Sequence, residues 1–158
     1  MVVDNKSYTY VSEVWHDGNL VSILPYKIEE GKQPVFLASW EYYPPHKSDE
    51  RDKSFELYSI TGGMGKNDET PVFTAKRTLL EKIGCKIPEK DFTMLGTSKI
   101  KMSDVDIVMF AVDISNYDLE LKKTDTEYAE FITIGQLVKS KDTLLHAMVA
   151  LSVNMGLI

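Results

Sequence analysis

The sequence predicts an α/β fold, a mixed β-sheet with helices on both faces. Three observations predict it. The first third of the chain alternates between apolar and polar residues and is rich in β-formers. Helical spacing recurs in only two places, one in the middle and one at the end. Between them, VDIVMFAVDI is nearly all apolar, as a central strand covered on both sides must be. Strands interrupted by one helix and followed by another assemble as helices packed on the two faces of a sheet.

Taken in order, SYTYVSEVWHDGNLVSILPYKI carries Asp17-Gly18, a hairpin signal, between two strand-like runs. VFLASWEYY, ending at Tyr43, is a further strand, stopped by Pro44-Pro45. HKSDERDKS reads as a solvated loop, and FELYSIT as a strand running into Gly62-Gly63. Thr70-Pro71 is a helix start, a hydroxyl cap followed by proline at the first helical position. Val72, Ala75, Leu79 and Ile83 then recur at helical spacing and should face the core, and Gly84 is the expected left-handed cap. FTMLGTSKI and VDIVMFAVDI read as strands, SNYDLELKKTDTEYAE as a loop and FITI as a short strand. GQLVKSKDTLLHAMVALSVN reads as one helical stretch, with Asp142 or Ser140 as its cap and Gly156 past its end.

The 158 residues suit a single domain, 1–158, with a full core. A net charge of −6 argues against nucleic acid as a partner but leaves room for a small basic pocket and a small anionic ligand. Cys85 is the only cysteine, so neither an intrachain disulfide nor a cysteine zinc cage can form. The start, MVVDNKSYTY, lacks the pattern of a signal peptide. LLHAMVALSVNMGLI is too short to span a bilayer. A soluble cytoplasmic protein is expected, with no membrane partner. His16, His46 and His146 are scattered without metal-ligand spacing.

The segment GGMGKNDETPVFTAKRTLLEKIG holds the most specific pattern. Gly63 is followed after five residues by Glu69, after seven more by Arg77, then by Leu79, Glu81, Gly84 and Cys85. This spacing resembles the signature box of the Nudix hydrolases without insertion. Beyond the box, VFLASWEYYPP and SITGGM are similar to two motifs of the ADP-ribose pyrophosphatase branch. Tyr43 and Tyr58 stand where that branch has an arginine and a glutamate, and Glu56 lies two residues before Tyr58 on the same strand face. The acidic loop and final helix follow in the order of that branch. The resemblance implies an α/β/α Nudix sandwich.

It also implies a site. Two box glutamates are replaced, one by Thr78 and one by Lys82. In the family these positions and that of Glu81 hold the magnesium that activates water and polarises the pyrophosphate. Glu81 and Glu69 could be a remnant of that metal site, or could pair with Arg77 and Lys82 in a surface ion network. An ammonium beside a divalent ion repels it, so the magnesium site is expected to be impaired. Lys82 could instead take the place of the metal and hold a diphosphate, or lie solvated. Gly63, Glu69, Arg77 and Gly84 keep the structural frame of the box.

Glu127 and Glu130 fall where the branch often carries its catalytic base, so with Glu81 they are the catalytic candidates. An acidic loop could equally be solvent-facing only. Gly63, Lys82, Trp15 and Tyr43 are candidate substrate-binding residues. Trp15, Trp40, Tyr42 and Tyr43 could stack a base, or belong to the core or to an interface. In the branch the N-terminal strands help form a dimer, which implies a homodimer here. Three functions remain open on these residues. The first is a degenerate Nudix protein that binds a nucleotide diphosphate or a partner with weak or no hydrolysis. The second is an active magnesium-dependent hydrolase of nucleoside diphosphate-linked compounds such as ADP-ribose. The third is a purely structural or protein-binding role.

Overall fold

The computed structural model describes residues 2–3, 6–7, 19–42, 55–65, 70–99 and 105–158. Trp15, His16, the Asp17-Gly18 hairpin, Tyr43, Pro44-Pro45, His46 and Glu69 lie outside the described residues. Strands β1 (Val2–Val3) and β2 (Lys6–Ser7) pair with each other. The other strands form a seven-stranded mixed sheet. They are β3 (Asn19–Lys27), β4 (Val35–Tyr42), β5 (Phe55–Tyr58), β6 (Ile60–Gly63), β7 (Phe92–Lys99), β8 (Asp106–Asp113) and β9 (Glu127–Ile132).

The sheet has two halves. In one, β8 lies parallel to β3 and antiparallel to β7, and β6 pairs with the first part of β3. In the other, β4 has β9 along one edge and β5 at the end of the other edge. The halves meet where Tyr26 and Lys27 of β3 pair with Phe36 and Val35 of β4. FELYSIT, expected as one strand, breaks at Ser59 so that β5 serves β4 while β6 serves β3. The Ser59 N–H donates to Asp142 Oδ2 at 2.6 Å, which fixes the break.

Period-two alternation sends successive side chains to opposite faces. Val21 and Ile23 of β3 and Leu37 of β4 pack with Ala75, Leu79 and Ile83 of α1 (Pro71–Ile83). Leu24, Phe36 and Ala38 pack instead with Leu137 of α2 (Ile134–Leu137) and with Leu145 and Met148 of α3 (Thr143–Asn154). The architecture is therefore an α/β/α sandwich. Val72, expected in the core, is only partly buried.

Two further expectations are corrected. Glu127 to Glu130 are not loop but the first residues of β9, because their backbone pairs with residues 38 to 41 of β4. The C-terminal helical stretch is two helices. Thr133 caps α2 in a reciprocal capping box with Gln136, and Asp142 caps α3 through Leu144 N–H. Between them the Ser140 hydroxyl donates to the Leu57 carbonyl at 2.8 Å, tying the break to β5. Among the described residues no helix is long and apolar enough to cross a membrane.

Candidate functional site

Helix α1 is built as its sequence dictates. Thr70 accepts from the Phe73 N–H, Pro71 opens the first turn, and Gly84 closes the last at φ 64° with its N–H on the Leu80 carbonyl. A side chain at Gly84 would also meet Glu120 Cβ at 2.7 Å, so glycine is required there twice over. Cys85 follows, buried, and burial pushes its thiol above the usual range.

The helix sits tightly on β6. A Cβ at Gly62 would fall 2.0 Å from Thr78 Oγ1, so only glycine permits this approach. Thr78 is 2% exposed, and its hydroxyl has no hydrogen-bond partner among the described residues. The Arg77 guanidinium donates to the Gly63 carbonyl at 2.9 Å and pairs with Glu81 at 3.4 Å. Arg77 thus braces the strand end from the helix, while the Glu81 side chain stays 60% exposed.

Lys82 leaves α1 toward the sheet and forms an ion pair with Glu127 of β9. The buried Ser39 hydroxyl donates to the same Glu127 oxygen at 3.1 Å. Glu41 stands opposite Glu127 in the β4–β9 register. Burial pushes the Glu41 carboxyl above the usual carboxylate range; Lys82 opposes this and Glu127 adds to it. Glu81, Lys82, Lys122, Thr124, Glu127, Ser39 and neighbouring residues line a cleft of about 130 Å³.

Glu130 is on the other side of the sheet. It accepts from Trp40 Nε1 at 2.9 Å, and Trp40 stacks on Tyr128 at 6.4 Å between centroids. The structure therefore brings Glu81, Lys82 and Glu127 together and does not bring Glu130 to them. Tyr42 packs on Phe55 in the same aromatic group as Trp40. Glu56 accepts from the Tyr58 hydroxyl at 2.9 Å and from Lys141 at 3.1 Å. The tyrosine first and the lysine next hold its carboxyl below the usual range. A separate cavity of about 280 Å³ lies here, lined by Trp40, Phe55, Leu57, Lys139 and Lys141 among others.

No described protein family and no curated protein matches the chain in sequence. Solved structures do match it in three dimensions. The NUDIX domain of Shewanella oneidensis NrtR, complexed with ADP ribose, superposes with a TM-score of 0.63 at 14% identity, over 89% of this chain and 88% of that one. The fold is the Nudix fold. A C. elegans Ap4A hydrolase aligns at a TM-score of 0.57 and 16% identity, over 86% of this chain and 98% of its own. The C-terminal domain of mouse MUTYH, complexed with human PCNA, aligns at 0.57 and 11%, over 87% and 88%. At such identities the likeness establishes the architecture and leaves the chemistry to the residues.

Helix α1 carries the segment that resembles the Nudix box, and magnesium is the ion that the resemblance implies. Among the described residues the candidate donors have other partners. Glu81 is turned to Arg77, Glu127 is engaged by an ammonium, and Thr78 is buried against Gly62. Among the described residues no three His, Cys, Asp or Glu side chains converge as a metal-binding group. Hard divalent cations favour several convergent oxygens, and a fixed ammonium raises the cost of placing one nearby.

Sequence reasoning missed Ser39, Glu41, Lys122 and Thr124. For Glu41 a signal exists, a lone carboxylate inside the strand VFLASWEYY, where an acidic residue is otherwise disfavoured.

Proposed function

We propose that this chain is a degenerate Nudix-fold protein that binds a nucleotide diphosphate with weak or no hydrolysis. One observation carries the reading: at a box position where Nudix hydrolases have a carboxylate, Lys82 projects an ammonium into the cleft between α1 and β9. That charge can meet a diphosphate where a metal would otherwise do so. Lys122 adds a second cation at the cleft wall and Thr124 a hydroxyl. Pockets that enclose a whole small-molecule ligand measure about 300–1,000 Å³. The 130 Å³ cleft fits the phosphate end, with the nucleoside lying outside it. The ADP ribose bound by the NrtR domain, a protein of the same fold, supports this ligand class.

The test is calorimetric titration with ADP-ribose, in magnesium and again in EDTA. The expected affinity is the same in both. Binding that requires magnesium sinks the proposal.

A second reading, an active magnesium-dependent hydrolase, is favoured by Glu81 and Glu127 lining the same cleft. An assay over a panel of nucleoside diphosphate-linked compounds with magnesium or manganese decides between the two. Rapid turnover selects the hydrolase.

A further inference from the structure

The outward face of α1 carries a feature that nucleotide binding does not use. Phe73 and Leu80, two helical turns apart, are 47% and 40% exposed. With Ile87 and Pro88 they floor a groove of about 570 Å³, and Lys76, Arg77 and Lys86 stand along it. Apolar side chains that share one groove, unlike those scattered singly, offer a partner a continuous contact.

The charge around this groove runs against that of the molecule. Its lining carries Lys76, Arg77 and Lys86 and no acidic residue, in a chain of net charge −6. Glu81 and Glu89 lie just outside that lining. Glu81 pairs with Arg77 and Glu89 with Lys76 at 3.2 Å. No ion pair of Lys86 occurs among the described residues. Cations beside an apolar floor select an occupant with both an apolar anchor and negative charge.

We propose that this groove docks an acidic, amphipathic peptide segment of a partner protein. An aromatic or leucine side chain of that segment enters between Phe73 and Leu80, and a carboxylate of it meets Lys86. The groove faces away from the sheet, whereas Lys82 projects toward it, so peptide and nucleotide would occupy different sides of α1.

The probe is a displayed library of random twelve-residue peptides, selected on the intact protein at low salt. Enriched peptides are expected to combine Asp or Glu with Phe, Trp or Leu. Their binding should fall at least tenfold in Phe73→Ser and in Lys86→Glu, and should weaken with added salt. Because Phe73 and Lys86 are both exposed, the variants should melt close to the parent, which a thermal scan checks. Phe73→Tyr, which keeps the ring, should retain binding. The proposal is overturned by no enrichment, by enriched peptides without acidic residues, or by acidic peptides whose binding ignores both variants. Displacement of the peptides by dodecyl phosphate together with tighter binding of that amphiphile also overturns it, in favour of a lipid-like ligand.

Discussion

Lys82 of α1 and Glu127 of β9, 45 residues apart in sequence, form an ion pair across the cleft between helix and sheet. Glu127 occupies the place at the ammonium that a ligand phosphate would need. Glu127→Gln is therefore expected to raise affinity for ADP-ribose several-fold at low salt. Lys82→Met should lower it at least tenfold. Glu130→Gln should leave it unchanged, since Glu130 holds Trp40 on the opposite face. Titration of the three variants checks this, and an equal effect of Glu127→Gln and Glu130→Gln would contradict it. Loss of the partly exposed pair should cost the fold only about 1 kcal/mol or less.

The contact between α1 and β6 predicts a steric outcome. Gly62→Ala places a methyl 2.0 Å from Thr78 Oγ1 and should destabilise by about 1–3 kcal/mol, the range for overpacking. Thr78→Ala removes a buried hydroxyl that has no partner among the described residues and should be near neutral. Combined, the two should recover part of the loss, because the remaining approach to Thr78 Cβ is 3.1 Å. Urea melts of the double-mutant cycle measure this coupling.

Glu41 predicts a pH dependence. Its folded-state carboxyl titrates above the usual carboxylate range, first because of burial. Between the unfolded and folded titrations the native state binds more protons. Stability from this group then falls as pH rises through that window. Glu41→Gln should melt above the parent at neutral pH, with the gap closing as pH falls below the ordinary carboxylate range. A gap that widens toward acid would refute the assignment.

Asp142 has two tasks, accepting the Ser59 N–H at the strand break and capping α3 through the Leu144 N–H at 2.9 Å. Asp142→Ala is expected to cost about 1–2 kcal/mol, at the upper end for a lost cap. Asp142→Asn, which keeps an acceptor, should cost less. Chemical denaturation of both variants checks the order.

What the sequence disclosed was local in origin. The bounds of α1 follow from Thr70, Pro71 and Gly84, each acting within its own turn. The central place of β8 follows from its apolar run. What stayed hidden depends on distant partners. Glu127 to Glu130 are polar enough to read as loop, and only the β4 edge makes them strand. No proline or glycine divides the final helical stretch. Its break is held by Ser140 on Leu57, 83 residues away. The box spacing announced Lys82, but not that a β9 carboxylate would meet it.

Strand β4 carries Ser39 and Glu41 toward one helix layer and Trp40 and Tyr42 toward the other. Its residues thus serve two chemistries by parity alone. Deleting one residue within 35–42 would exchange the two sets, setting indole and phenol against Lys82 and a carboxylate among the rings. Length variation among descendants of this chain must therefore fall outside β4, while substitution within it can proceed one side at a time.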